Sequence, residues 1–155
     1  MKELTGTASA TTRASSEACV ALLAAVDRYP DWYPEVVKSV EVLERDDRGQ
    51  PTTARTRLHV QYGPVNRDFD LTLAVVVDPQ EGTVRLSRTR NEPADGEKFK
   101  VNWLVRPARA LQAQTTEIRL DLATNLDVPR FLPVGGIGDS MAKDFVSAAT
   151  RALTS

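Results

Sequence analysis

The sequence predicts an α+β fold: a seven-stranded, curved antiparallel sheet around a long C-terminal helix, with two short helices after the first strand. Three observations carry this. Between Val37 and Thr124, apolar and polar residues alternate in runs separated by short turns. That is the pattern of antiparallel hairpins with one wet face and one covered face. From Asp139 onward, apolar residues recur at helical spacing. Between the first strand and the hairpins, the stretch Val26–Val36 holds Tyr29, Trp32 and Tyr33 together with Pro30 and Pro34. Each proline removes a backbone donor and fixes φ, so no long regular element runs through it. Large aromatics are costly to leave in water, so this segment is either a lid over something or a plug in a core.

The elements follow in order. Glu3 to Arg13, rich in Thr, Ser and Ala, reads as a first strand. Ser15 and Ser16 are positioned to cap a helix, with Glu17 in its first turn, where negative charge is favoured. Ala18, Leu22 and Val26 form its apolar stripe, flanked by Cys19 and Leu23, and it ends before Pro30. Six strands follow, over Val37–Arg45, Thr52–Tyr62, Asn66–Asp78, Thr83–Asn91, Glu97–Arg106 and Thr115–Thr124. Turns at Asp46–Gly49, Gly63–Pro64, Pro79–Gly82 and Glu92–Gly96 join the first five. Thr56, Leu58, Val60 and Tyr62 share one face of their strand, and Arg55, Arg57, His59 and Gln61 the other. Phe69, Leu71, Leu73, Val75 and Val77 are in phase, as are Phe99, Val101, Trp103 and Val105, and Ile118, Leu120 and Leu122. Residues 128–138 read as irregular or weakly helical. In the terminal helix Met141, Phe145, Ala148 or Ala149, and Ala152 form the apolar face, extended backward by Ile137 or Gly138 and then Val134. With no repeat and no linker, residues 1–155 are expected to form one domain.

Composition narrows the class. The chain is 41% hydrophobic and 26% charged, with a formal net charge of -1. It lacks the basic excess that binding to nucleic acid or an anionic membrane asks for. One cysteine allows no internal disulfide and fits a reducing compartment. Without a signal-like start or an apolar run of the roughly 20 residues that span a bilayer, a cytoplasmic location with no stable membrane insertion is expected.

The element order, the segment Tyr29-Pro30-Asp31-Trp32-Tyr33-Pro34-Glu35-Val36 and the following Val40-Glu41-Val42-Leu43 resemble the START-like, or SRPBCC, superfamily, and within it the polyketide cyclase/dehydrase and lipid-transport group. The resemblance implies a helix-grip fold, the long helix clasped by the sheet around a cavity for a hydrophobic ligand. It implies no particular ligand or reaction, because one scaffold hosts carriers, sensors, cyclases and stress proteins.

Independently of that resemblance, a single helix about 10 Å across leaves part of a seven-stranded sheet to be plugged or left open. With the cavity that the resemblance implies and the agreement of apolar phases along strands and helix, a space of at least roughly 300 Å³ is expected. Its expected lining is Trp32, Tyr33, Leu58, Val60, Tyr62, Phe69, Leu71, Leu86, Arg88, Trp103, Leu120, Phe131, Ile137, Met141 and Phe145. Arg88 and Arg90 share a face with Val84 and Leu86, and Arg67 with Phe69. Either they reach the cavity and need oxygen partners, or they emerge at strand ends into solvent. His59, the only histidine, sits in the wet phase and reads as a surface residue. Cys19 reads as a buried apolar residue with no activating neighbour. One His and one Cys in separate phases argue against a zinc site or a Cys–His pair, so no metal, cofactor or catalytic residue is assigned. Gly135-Gly136-Ile137-Gly138 lacks the spacing of a phosphate loop. It is either a backbone requirement or a hinge at the cavity mouth.

Three functions remain in play: a carrier or sensor of a small hydrophobic ligand, such as a lipid, polyketide or other aromatic compound; an aromatase/cyclase-type enzyme; and an interaction protein with a vestigial cavity. The first is the leading expectation. In the second, cavity shape folds a polyketide while Arg or Tyr groups stabilise an enolate.

Overall fold

The computed structural model describes residues 2–63, 65–89, 98–108, 115–126 and 136–154. Strand β1 spans Lys2–Thr12, helix α1 Ser16–Ala24, a 3-10 turn Val26–Arg28 and helix α2 Tyr29–Trp32. Strands β2 (Val37–Arg45), β3 (Pro51–Tyr62), β4 (Val65–Asp78), β5 (Thr83–Arg88), β6 (Phe99–Ala108) and β7 (Thr115–Leu126) follow, and helix α3 (Ile137–Thr154) closes the chain. The strands form one antiparallel sheet in the order β1-β7-β6-β5-β4-β3-β2. Every neighbour is consecutive except β1 and β7. The chain therefore crosses the full sheet between β1 and β2, and α1 and α2 are that crossing. The predicted turn at Glu92–Gly96, the strand ends Arg90, Asn91 and Glu97, and Pro64, Phe131, Val134 and Gly135 lie outside the described residues.

Local chemistry explains the crossing. The Ser15 hydroxyl accepts from the Ala18 N–H at 3.1 Å, capping α1. At the other end, Gln50 donates to the Ala24 carbonyl at 2.7 Å, occupying a carbonyl the helix leaves without a partner. The Tyr29 hydroxyl donates to the Leu23 carbonyl at 2.6 Å, tying α2 to α1. Pro30 stands in the first turn of α2, where its missing N–H costs nothing. The expected apolar stripe of α1 needs correction: its buried residues are Cys19, Leu23 and Ala24, while Ala18 is exposed and Leu22 half-buried. In so short a helix, the neighbours on both sides decide which edge of a broad apolar face turns inward. Burial pushes the Cys19 thiol up, away from the reactive thiolate.

Helix α3 lies mainly along β1. Its most buried residues are Gly138, Ala142, Val146, Ala148 and Ala149. Small side chains let it approach the strand closely. A Cβ added at Gly6 would sit 1.9 Å from the Gly138 carbonyl oxygen, and one added at Gly138 would sit 1.9 Å from the Thr5 oxygen. The two backbones are thus in direct contact. Asp139, in the first turn of α3, accepts from the Thr7 N–H on the sheet edge at 3.1 Å. The predicted face divides: Gly138, Ala148 and Ala149 are buried, while Met141 and Phe145 are half-buried and point to a different neighbour.

Candidate functional site: an apolar cavity and an adjoining cleft

Each strand turns its apolar phase toward α1 and α3, so residues paired across the sheet form rows. Val75, Leu86, Val101 and Leu122 are linked in register across four strands. All four line an apolar cavity under α3. The next row, Val84, Trp103 and Leu120, is also in register, and each of these side chains is at most 1% exposed. Helix α1 packs on β5, β6 and β7, the three strands that carry this row.

The cavity has a volume of about 60 Å³. That is well below the roughly 300 Å³ expected of a ligand site. The aromatic segment accounts for the difference. Phe145 of α3 is surrounded by Tyr33 at 4.8 Å, Trp103 at 5.0 Å, Trp32 at 5.6 Å and Tyr29 at 5.7 Å between ring centroids. The segment is therefore a plug, with the Phe145 ring at its centre. Burial holds the Tyr29 hydroxyl well above the ordinary tyrosine range.

Of the expected lining, Tyr33, Leu58, Val60, Leu86, Met141 and Phe145 face the cavity. Trp32 and Trp103 stand behind Phe145. Phe69, Leu71 and Leu120 are buried on the same sheet face but away from the cavity. Leu73 and Val75 take the cavity positions on β4, Val101 and Phe99 on β6, and Leu122 and Thr124 on β7. Alternation reports which face a residue occupies but not its height along the strand, and the cavity occupies only one band of heights. Arg88, half-buried opposite Leu73 at the end of β5, and Ile137 at the start of α3 are not among the lining residues. Arg67 lies over the Phe69 ring, 4.9 Å from its centroid.

A second depression, about 400 Å³ and open to water, adjoins the cavity. Tyr33 and Val36 border both. Its other walls are Glu35, His59, Gln61, Tyr62, Asp144, Ser147 and Arg151. The Tyr62 hydroxyl donates to Asp144 Oδ2 at 2.5 Å, and Tyr33 lines the same cleft. Tyr62 therefore belongs to the cleft and not to the apolar cavity. Desolvation and the neighbouring Asp144 hold it above the ordinary tyrosine range. His59 is less a free surface residue than its phase suggests: it pairs through Nδ1 with Asp68 Oδ1 at 2.5 Å. Sequence reading missed Asp144, Ser147 and Arg151. Their signal was available as a polar stripe at i, i+3 and i+7, beside the Met141–Phe145 face. Among the described residues, no group of His, Cys, Asp and Glu is arranged to hold a metal ion, and no helix is long and apolar enough to cross a membrane.

The fold is shared with solved proteins. A START superfamily protein from Mycobacterium smegmatis matches 97% of this chain and 94% of its own, at 20% identity and a TM-score of 0.70. The di-domain ARO/CYC protein BexL matches 99% of this chain over 47% of its own, at 18% identity and a TM-score of 0.66. The Zhui aromatase/cyclase from Streptomyces sp. R1128 matches 99% of this chain and 87% of its own, at 19% identity and a TM-score of 0.55. No curated protein sequence matches the chain. A family profile described as polyketide cyclase / dehydrase and lipid transport covers residues 17–154. Profile, strand order and clasped helix agree, and the chain belongs to this polyketide cyclase/dehydrase and lipid transport family, within the START-like superfamily.

Proposed function

We propose that this protein binds and carries a small hydrophobic ligand in the cavity between α3 and the sheet. The observation that carries the reading is the lining. It draws apolar side chains from β2 to β7, from the aromatic segment and from α3, and includes no carboxylate or histidine among the described residues. At about 60 Å³ the cavity is too small for such a ligand as it stands. Entry requires Phe145 and Met141 to move. Both are half-buried, and methionine adapts to irregular spaces through its three rotatable bonds. The occupied form is then a minor conformation that the ligand makes dominant.

Native mass spectrometry of freshly purified protein tests this by seeking a co-purifying lipid or aromatic compound. Emission of Trp32 in a Trp103→Phe background gives a second readout, because Trp32 packs on Phe145. Hydrophobic compounds that neither bind nor move that emission would count against the reading.

A second reading, an aromatase/cyclase-type enzyme, is favoured by one feature: the tyrosine pair Tyr33 and Tyr62 where cavity and cleft meet. Cyclisation of a linear poly-β-ketone thioester faster than its spontaneous cyclisation would support it, and equal rates would remove it.

A further inference from the structure

We infer that the indole N–H of Trp32 is the donor for an acceptor oxygen on the ligand, so that the cavity accepts a small hydrophobic molecule carrying a carbonyl at least as well as a hydrocarbon of the same shape. This rests on the binding reading above and specifies which hydrophobic molecules qualify.

The first support is an unmet hydrogen bond. Trp32 Nε1 is buried, and no group of the protein accepts from it. An indole nitrogen donates and cannot accept. Buried polar groups are nearly always paired, so this exception asks for a reason. Trp103 Nε1 is also without an acceptor in hydrogen-bond geometry, but Trp103 interacts with the Tyr29 hydroxyl and sits in the most buried row of the sheet. Trp32 belongs to the half-buried aromatic segment, on the side of the molecule filled by side chains that rotate.

The second support is position. The Trp32 ring packs on Tyr29, Phe145 and Tyr33, with centroids 4.8, 5.6 and 6.3 Å away. All three of those rings line the cavity. Trp32 therefore stands one ring behind the cavity wall. At about 60 Å³ the cavity admits a ligand only if Phe145 moves, and that movement removes one of the rings between Trp32 and the guest.

The third support is what the lining itself offers a carbonyl. The Thr56 hydroxyl already donates to the Leu71 carbonyl at 3.2 Å, and the Tyr29 hydroxyl to Leu23 at 2.6 Å. Tyr33 borders the water-open cleft, so a bond to its hydroxyl exchanges one hydrated contact for another. Thr124 is the remaining lining hydroxyl. A donor that is already dehydrated and unpaired gives up nothing when it finds an acceptor, and recovers a penalty of about 1–3 kcal/mol. That asymmetry favours Trp32 over the hydroxyls.

Propylbenzene and propiophenone differ by one methylene exchanged for a carbonyl, and both are titrated calorimetrically into the full chain near neutral pH. Propiophenone is expected to bind at least as tightly as propylbenzene, although its carbonyl must leave water. Trp32→benzothienylalanine keeps the ring's shape with sulfur in place of the N–H. It should lower the ketone-to-hydrocarbon affinity ratio about tenfold, or about 1.4 kcal/mol. Propylbenzene affinity should stay unchanged, as the control for fold and cavity. Trp103→Phe should leave the ratio within about twofold of the parent. In proton–nitrogen spectra, the Trp32 indole proton should move downfield with propiophenone and not with propylbenzene. Propiophenone binding about tenfold weaker than propylbenzene in the parent overturns the donor alone. So does a ratio that Trp32→benzothienylalanine leaves unchanged, which assigns any ketone preference to Thr124 or Tyr33, and so does a ratio lost only in Trp103→Phe. Binding of neither probe overturns the cavity reading and this one together.

Discussion

The two sides of α3 are built on opposite principles. Toward β1, glycine meets glycine and two backbones touch, with Gly6 and Gly138 leaving no space for a side chain. Toward β2 and β3, the same helix faces rings, a small apolar cavity and a water-open cleft. The β1 side is fixed because close-packed backbone cannot shift without losing contacts everywhere. The far side is filled by side chains that rotate about single bonds. The difference shows where a helix-grip fold can open: along the side-chain face of its long helix and not along the seam. This reassigns the glycine stretch. As the hinge reading had it, Gly136 and Gly138 would yield together. Instead Gly138 is committed to close packing, and Gly136 adopts a positive φ of 82° at the helix start.

The largest effect is expected at the seam. Gly138→Ala drives a methyl into the Thr5 carbonyl and should cost about 3 kcal/mol or more, read by urea unfolding. A loss below about 1 kcal/mol would mean that the helix shifts freely and that the contrast between the two sides is wrong.

On the far side, Phe145→Ala removes the centre of the ring cluster. It should lower stability by about 3 kcal/mol, near the low end for such truncations because the ring is only half-buried. Unlike the seam variant, it should also enlarge the cavity and raise affinity for propylbenzene. Loss of stability with no gain in binding would place the expandable space elsewhere.

Alkaline pH probes the same cluster. The folded-state pKa of Tyr29 is raised by burial. Its contribution is therefore complete below the unfolded value of about 10 and declines as pH rises above it, because only the unfolded chain ionises easily. Urea unfolding at pH 8, 10 and 11 should show stability falling at the last step, by up to about 1.4 kcal/mol per pH unit for a fully buried tyrosine. Tyr29→Phe should make that decline shallower, leaving the share of Tyr33 and Tyr62, which are also raised, while losing about 1 kcal/mol at neutral pH with its bond to Leu23. The same decline in the variant would assign it to other groups.

The smallest effect separates the two glycines. Among the described residues no atom lies within 4 Å of the Cβ that Gly136→Ala would add, so its positive φ is what resists, at about 1 kcal/mol. A loss as large as that of Gly138→Ala would mean that Gly136, too, is packed against its neighbours.

The sequence by itself determined the sheet, its hairpins and the clasping helix. Strand alternation survives any tertiary arrangement that covers one face, so β2 was legible to its ends, and β3, β4 and β7 within two residues. It also determined which residues point inward, since phase is a local property. Only the tertiary structure decided the rest. Leu71 and Leu73 share a face, and nothing local says that Leu73 lines the cavity while Leu71 packs away from it. Height along a strand depends on register with three or four other strands and on where α1 lands. Nothing local says that Gly6 and Gly138, far apart in the chain, need one another, because the steric demand exists only when β1 and α3 are side by side. The cleft was hidden for the same reason. Tyr62 and Asp144 are each ordinary in their own element, and their hydrogen bond is formed only when the sheet curls to bring β3 against the exposed stripe of α3.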